Sequence, residues 1–274
     1  MNSSHRLVVP LQKRGNVGKS TLVCGLAQYY TQRCVPWIGH DLDNDHQSFS
    51  RLFPTEVKIR EITANEPEGE VIKVMRSCTD NVVTLIDPRA HISEVILRGM
   101  EMINFIENFE TVGGRVTVPL IIADDLEVMT DIDSIVSRLG NSVDYVIVRN
   151  PARQPKTRMF NDSALEADLV KLGAVTLEVP VLLALARNHL AALEVQLGRG
   201  VTPVEAVANR ELEMDGMIRL VIDDWIRTLF RRFDVIAGKI MPMACAEKIK
   251  RVDSKDKVGA APIVRGAKLN LKNL

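Results

Sequence analysis

Residues 11–21 constrain the fold of this chain more than any other stretch. They read Leu-Gln-Lys-Arg-Gly-Asn-Val-Gly-Lys-Ser-Thr and follow the short apolar run 7–9. Beyond them, Leu22 and Leu26 lie four residues apart, which is the spacing of one face of a helix. The pattern therefore predicts a buried strand, a glycine-containing loop and a helix in direct succession.

A loop in this setting is suited to bind phosphate groups. Its backbone N–H groups and the helix N-terminus would point at phosphate oxygens, and Gly15 and Gly18 would allow a close approach without a Cβ clash. Lys19 would reach the terminal phosphates, and the Ser20 hydroxyl would bind Mg²⁺. The run fits the pattern G-x-x-x-x-G-K-[ST] except at its first glycine, which is Lys13 here. The alternative is a glycine-containing turn before a surface helix.

The composition is that of a globular protein with a large core. The chain has 274 residues, 46% of them hydrophobic, and its 35 basic and 35 acidic residues give a net charge of zero. A neutral chain has no overall attraction to nucleic acid or to an anionic membrane, so such a partner would need a local patch. The cysteines form no C-x-x-C pair, the first residues lack the apolar core of a secretory signal, and no 18 consecutive residues are apolar. We therefore expect a soluble, cytoplasmic protein with reduced thiols.

Apolar runs alternate with helical patterns over most of the chain. This alternation predicts an α/β fold with a mostly parallel β-sheet and helices on both faces. Pro10 is unusual in a strand, because proline cannot donate to a strand ladder. The predicted strands cover residues 6–12, 35–40, 57–63, 81–88, 116–123, 143–148 and 174–179, and the predicted helices cover 19–33, 48–53, 69–78, 92–109, 124–139, 162–172 and 184–197.

Carboxylates follow two of the predicted strands. Asp41, Asp43 and Asp45 come after the second strand, and Asp87 ends the fourth. Ligands of open α/β sheets bind at the carboxyl ends of the strands, so these side chains are expected to face the phosphates held by the first loop. An apolar strand that ends in aspartate is typical of a position that holds Mg²⁺. A solvated acidic turn is the alternative for the first three aspartates.

The C-terminal part has a different pattern. Residues 204–240 read as helical throughout, with an aromatic and aliphatic stripe that we expect to pack in the core. Residues 243–274 carry eight basic and three acidic residues without periodicity, which predicts a flexible basic tail. The chain is therefore expected to form one domain over residues 1–242, which ends in a helical extension, followed by the tail.

These motifs together resemble the ParA/MinD class of deviant Walker ATPases over roughly residues 6–200. The loop of that family runs K-G-G-V-G-K-[ST], against Arg-Gly-Asn-Val-Gly-Lys-Ser at residues 14–20 here. Its D-x-D motif is matched by Asp41 and Asp43, and its apolar strand that ends in D-P is matched by Asp87 and the proline after it. In many members an asparagine after a later strand reads adenine, and Asn150 occupies that place.

The resemblance implies a SIMIBI-like P-loop NTPase fold and a slow, ATP- and Mg²⁺-dependent switch, closest to the ParA-like ATPases of plasmids and conjugative elements. It implies catalytic roles for Lys19, Asp43, Asp41 and Arg14, and Mg²⁺ ligation by Ser20, Asp87 and Asp43. The nucleotide would be bound by Lys13, Arg14, Gly15, Asn16, Val17, Gly18, Lys19, Ser20, Thr21 and Asn150. The implied partners are a second copy on ATP binding and non-specific DNA or a DNA-bound adaptor protein, with membrane contact left open.

Two residues depart from the family pattern. The signature lysine, which in the family reaches the nucleotide of the partner subunit, is Arg14 here. Arginine keeps the charge but presents a larger planar group, and Lys13 beside it is a second candidate for the role. Asn16 replaces the second glycine, and asparagine adopts positive φ more readily than other residues with a side chain. We therefore expect the loop to form, and we expect any change to fall on hydrolysis and dimer geometry.

Two other functions remain open at the level of the sequence. A metabolic kinase or an ATP-dependent synthetase on the same fold would need an acceptor pocket, for which no residues stand out. A nucleotide-binding adaptor that does not hydrolyse is the other alternative, because of the two departures in the loop. A GTPase is not expected, since the chain contains no N-K-x-D motif for reading guanine.

Overall fold

The computed structural model describes residues 3–63 and 65–249. The strands in this part are β1 (His5–Val8), β2 (Trp37–Asp41), β3 (Val57–Ile59), β4 (Val83–Asp87), β5 (Gly114–Ile121), β6 (Asp144–Arg149) and β7 (Val175–Glu178). They form one sheet in the order β3-β2-β4-β1-β5-β6-β7, and every neighbouring pair is parallel. The predicted α/β class with a parallel sheet is confirmed.

Helices connect the strands and cover both faces of the sheet. They are α1 (Lys19–Gln32), α2 (Ser48–Leu52), α3 (Pro67–Ser77), α4 (Ser93–Met102), α5 (Phe105–Thr111), α6 (Leu126–Leu139), α7 (Ala164–Lys171), α8 (Ala184–Leu197), α9 (Pro203–Ala208), α10 (Gly216–Val235) and α11 (Ala237–Ile240). The central strand shows why both faces are needed: Leu7 and Val9 pack in the core on one side, and Val8 packs in the core on the other. Parallel strands buried on both faces read as continuous apolar runs, which is the pattern of the sequence.

The first and third predicted strands each end four residues earlier in the structure. The first ends at Val8 instead of residue 12; the backbone N–H of Val9 still donates to the Thr117 oxygen, at 3.0 Å, and Pro10 then ends the pairing. The third covers only Val57–Ile59. Both corrections make the segments after the strands longer, and these segments are the ones that can bind a ligand.

The predicted helix over residues 92–109 is two helices. Helix α4 ends at Met102, and α5 begins at Phe105 after Asn104, which has a φ of 45°. Asparagine accepts this left-handed conformation at low cost, so the chain turns there and the apolar spacing resumes in a new direction. The spacing of apolar residues alone does not reveal such a break in a helix.

The helical extension also differs in detail from the prediction. Residues 204–240 form three helices instead of one continuous pattern: the loop 209–215 separates α9 from α10, and the single residue Ile236 separates α10 from α11. The predicted apolar stripe is in the core: Leu229 and Phe233 of α10 are buried, and the ring of Phe230 lies edge-on to Tyr29 of α1, with centroids 5.5 Å apart. Among the residues that the structure describes, no helix combines the length and the apolarity needed to cross a membrane.

The first seven residues of the predicted tail are helical. Residues 243–249 are helical, and Ala246 and Ile249 are buried in the core cluster of α1 and α10. Their burial explains the helix, because two apolar side chains three residues apart share one face. The rest of the predicted tail, residues 250–274, lies outside the described residues.

Candidate functional site

The segments that follow β1, β2, β4 and β6 meet at one edge of the sheet, because all strands run in the same direction. A cavity of about 1120 Å³ opens at this edge. Its lining includes the predicted residues Gly15, Asn16, Gly18, Lys19, Ser20, Thr21, Asp43 and Asn150, together with the segment 88–92 after β4. The structure thus brings most of the predicted site residues together.

The loop before α1 has the backbone conformation expected of a phosphate cradle. Gly18 precedes the helix with a φ of 111°, and Asn16 has a φ of 59°. The expectation that asparagine at position 16 would tolerate positive φ is therefore confirmed. The side-chain amide of Asn150 fills the space beside Gly18 and donates to the Val17 oxygen at 3.1 Å. A Cβ on Gly18 would lie 2.2 Å from the Asn150 nitrogen, so the cradle requires glycine there.

We expect Gly18→Ala to lower the free energy of unfolding by about 2 kcal/mol, because the new methyl adds backbone strain and displaces the Asn150 amide. Urea unfolding followed by circular dichroism measures the change. The control adds Asn150→Ala, which removes the obstructing amide and should restore part of the loss. An unchanged midpoint for Gly18→Ala would contradict the described loop conformation.

Lys19 lies inside the loop. Its ammonium donates to the backbone oxygens of Gln12 at 3.0 Å and of Arg14 at 2.7 Å, and only 6% of the residue is exposed. Burial lowers the pKa of Lys19, while the nearby carboxylates of Asp87, Asp131 and Asp43 oppose that shift. The side chain is therefore held over the loop by two carbonyls that an anionic ligand can replace.

Asp87 is a buried carboxylate without a hydrogen-bond partner among the described residues. It ends β4 and is 1% exposed, and neither of its oxygens makes a hydrogen bond there. Burial raises the pKa of Asp87 to about 7; the Ser20 hydroxyl and the Lys19 ammonium lower it, whereas Asp41 raises it further. Such a carboxylate beneath a phosphate loop fits a bound cation. Because the described residues contain no group of three His, Cys, Asp or Glu close enough to hold a metal, further ligands would have to come from Ser20, from phosphate oxygens and from water.

Asp41, the last residue of β2, and Asp43, two residues beyond it, have different environments. Asp41 is fully buried, and its carboxylate accepts the backbone N–H of Asp43 at 3.0 Å and of Ser50 at 2.9 Å. It therefore holds the segment between β2 and α2 in shape. Asp43 is half-buried and lines the cavity, while one of its oxygens accepts the backbone N–H groups of Asp45 and His46. The second oxygen of Asp43 is the one available to act in the cavity.

Arg14 and Lys13 lie outside the cavity lining, as does Val17. The Arg14 guanidinium donates to Glu127 at 3.0 Å and lies 3.6 Å from the Asp125 carboxylate, both at the start of α6. The Lys13 ammonium is 3.7 Å from the carboxylate of Asp131. Neither the Arg14 guanidinium nor the Lys13 ammonium therefore lines the cavity beside the phosphate loop.

Two anchors of the loop were not identified from the sequence. The fully buried Gln12 side chain donates to the Ile121 oxygen at 2.7 Å and accepts the Ile121 N–H, so it pairs with β5 as a strand residue would. Asp131 accepts the Lys13 backbone N–H at 2.7 Å. Asp131 could have been recognised from the sequence, because it is a charged residue at a position where the helical spacing of α6 predicts a buried apolar one. Gln12 could not have been recognised in this way, since its partner Ile121 lies 109 residues away.

No family model and no curated protein sequence matches this chain. Similar solved structures include a nucleotide-binding protein from Archaeoglobus fulgidus in complex with ADP, at 15% identity over 65% of this chain and 82% of that chain, with a TM-score of 0.44. The MinD cell division protein of Aquifex aeolicus is 12% identical over 83% of this chain and 97% of its own, with a TM-score of 0.43. FlhF complexed with GTP and Mg²⁺ is 12% identical over 66% of this chain and 67% of that chain, with a TM-score of 0.36.

Proposed function

We propose that this chain is a Mg²⁺-dependent P-loop ATPase that switches between two states as it binds and hydrolyses ATP. The observation that carries the proposal is the Asp87 carboxylate, which is buried next to the Ser20 hydroxyl and forms no salt bridge among the described residues. An unpaired carboxylate in a protein interior is unfavourable, and a bound cation removes that penalty. Mg²⁺ is favoured, because it takes one or two carboxylates and completes its shell with nucleotide phosphates and water.

Each polar residue of the site has a part in this reaction. Lys19 would exchange its two carbonyl contacts for oxygens of the terminal phosphates, and Thr21 would contact the α-phosphate. Ser20 and Asp87 would hold Mg²⁺, which neutralises phosphate charge when bound. Asp43 would position the attacking water with its available oxygen. Phosphoryl transfer needs mainly such placement and charge neutralisation.

We extend the proposal to the biological setting that the motifs favour. ATP would be the nucleotide, with its base near Asn150, and two copies of the chain would associate when ATP is bound. A switch of this kind would position a plasmid or another mobile DNA element, or serve a conjugation apparatus, in the cytoplasm. DNA, or an adaptor protein on DNA, would be the partner. The support for this finer proposal is the ParA/MinD resemblance of the loop and of the aspartates after β2 and β4.

The test is Mg²⁺-dependent phosphate release from ATP, with the molar mass measured by light scattering in the same samples. We expect the wild type to hydrolyse ATP slowly and to form a dimer with ATP. Asp43→Ala should form the dimer but turn over about 100-fold more slowly, because the water loses its positioning carboxylate. Asp133→Ala, which removes an exposed carboxylate of α6, is the matched control. A wild type that neither hydrolyses ATP nor dimerises with it contradicts the proposal.

A nucleotide-binding adaptor without hydrolysis is the second candidate. It is favoured by the position of Arg14, which is engaged by Asp125 and Glu127 outside the cavity. Tight ATP binding without phosphate release in the same assay would identify it.

An ATP-dependent enzyme with a small acceptor is a third candidate. The cavity lining extends from Asp43 to Ile62 and Thr63 in the segment after β3, which would leave room for an acceptor beside the nucleotide. Phosphate transfer to an added small molecule, in place of release to water, would distinguish this candidate.

A further inference from the structure

The turn between β4 and α4, residues 88–91, lies directly against the phosphate loop. A Cβ on Gly15 would be 3.6 Å from the Cβ of Ala90, which is ordinary contact distance. The backbone N–H of His91 donates to the Lys13 oxygen at 3.1 Å, and His91 has a φ of 64°. A left-handed conformation at a residue other than glycine is uncommon and is found mostly where the surroundings impose it. The turn is therefore held in a defined position beside the cradle.

Arg89 lies in the middle of this turn. It is half-buried and lines the cavity, and it makes no hydrogen bond or ion pair with any residue of the described part of the chain. In this it differs from Lys19, which is engaged by two carbonyls, and from Arg14, which is engaged by two carboxylates. An unpaired guanidinium beside a phosphate loop is available to an anion without first breaking another contact.

The position of Arg89 just beyond β4 assigns it to the phosphate end of the cavity. Strand β4 is the direct neighbour of β1, which leads into the loop, and Arg89 is two residues beyond Asp87. The other arginines of the cavity wall, Arg153 and Arg187, follow β6 and β7 on the opposite side of β1. These two therefore lie toward Asn150, on the side proposed for the base.

We propose that Arg89 is a catalytic residue that contacts the γ-phosphate of the nucleotide bound in its own subunit. This inference rests on the proposed function. In the hydrolysis, water oxygen forms a bond to the γ-phosphorus while the bond to the β–γ bridging oxygen breaks. ADP leaves with the electron pair, and the water proton passes to the released phosphate. The planar guanidinium binds two phosphate oxygens at once and stabilises the charge that builds up in this step.

The first test is steady-state hydrolysis by Arg89→Ala and Arg89→Lys, with Arg98→Ala on the exposed face of α4 as the matched control. We expect kcat of Arg89→Ala to fall by about 100-fold or more, because the charge of the transferred group loses its donor. Arg89→Lys should recover part of that loss, and ADP affinity should stay within about threefold, since ADP lacks the contacted phosphate. Unchanged kcat in Arg89→Ala would overturn the inference.

A mixing experiment tests whether Arg89 acts in its own subunit. Arg89→Ala binds nucleotide without the arginine, whereas Lys19→Ala keeps the arginine but has lost the lysine of the cradle. If Arg89 acts in its own subunit, the mixture shows only the sum of the two separate activities. Turnover restored by mixing would show action across subunits and would overturn this part of the inference.

A binding measurement separates this inference from the proposed function. The ratio of the affinities for ATPγS and ADP, measured with Mg²⁺, should fall about tenfold in Arg89→Ala and stay unchanged in Arg98→Ala. If the wild type shows no turnover but keeps an Arg89-dependent preference for the triphosphate, the hydrolase proposal fails and Arg89 remains the γ-phosphate ligand. If the wild type turns over and Arg89→Ala matches it in both assays, the inference fails and the hydrolase proposal stands.

Discussion

Asp87→Asn is expected to abolish Mg²⁺-dependent turnover while it makes the nucleotide-free protein more stable. The carboxylate is buried without a hydrogen bond among the described residues, and burial raises its pKa to about 7. Ionising such a group in the folded state is unfavourable, and the neutral amide avoids this. The same amide cannot offer Mg²⁺ a negative charge, so we expect kcat to fall by about 1000-fold.

The stability effect has a defined dependence on pH. Because the pKa of Asp87 is higher in the folded protein than in the unfolded chain, the folded state binds more protons between pH 4 and 7. The wild type should therefore lose stability as pH rises through this window, by at most about 4 kcal/mol from this group. Asp87→Asn should lack that loss, so the two proteins are equally stable below pH 4 and differ most above pH 7.

The comparison uses urea unfolding from pH 4 to 8 in buffer that contains a chelator, so that no metal stabilises the folded protein. Asp80→Asn, which changes an exposed aspartate near the start of β4, is the matched control and should follow the wild type. A difference between wild type and Asp87→Asn that does not change with pH would contradict this account of the Asp87 site.

Lys19→Ala is expected to reduce turnover by at least about 1000-fold and to weaken ATP binding by about 100-fold. The ammonium lies over the loop, where an incoming phosphate would replace its contacts with the Gln12 and Arg14 oxygens. Loss of these two contacts should lower the free energy of unfolding by only about 1 kcal/mol, because Lys19 lines the cavity and its truncation would let water from the cavity reach the freed oxygens. The functional loss should therefore far exceed the structural one.

Isothermal titration with ATP and phosphate release measure the effect of Lys19→Ala, and thermal unfolding reports whether the fold is kept. Lys171→Ala, on the exposed face of α7, is the control for removal of a lysine. If Lys19→Ala binds ATP as the wild type does, the loop is not the nucleotide site. The cavity would then need a different ligand.

The α/β class and the parallel sheet could be predicted from the sequence, because the patterns that indicate strands and helices are local. Apolar runs and helical spacing are contained within short windows, and they led to the α/β class that the structure confirms. The positive φ at Asn16 was also foreseeable, since it depends on the residue type and its place between two glycines. The aspartates at and just beyond the ends of β2 and β4 were candidates for a different reason, because the ends of parallel strands meet at one edge of the sheet.

Contacts between distant parts of the chain were not predictable in this way. The orientation of Arg14 depends on Asp125 and Glu127, which lie more than a hundred residues later in the chain. No residue near the loop indicates that these would be its partners. The break at Asn104 and the helix over residues 243–249 depend on the apolar surface against which each segment packs. The spacing of apolar residues in the sequence does not specify that surface. The part of the site that sequence reasoning missed is thus the part made by tertiary contacts.

The phosphate loop is anchored to the rest of the protein by more hydrogen bonds than join it to the turn after β4. Gln12 binds Ile121 through two hydrogen bonds, and Asp131 binds the Lys13 backbone, so the cradle is already ordered before any ligand arrives. A ligand that meets an ordered cradle has little loop entropy to remove, and it induces little motion there. The turn 88–91, by contrast, is joined to the loop by the single hydrogen bond from His91. Binding energy from a ligand is therefore not needed to shape the cradle, and contacts that a ligand makes with the turn after β4 would add to the single hydrogen bond that now joins the turn to the loop.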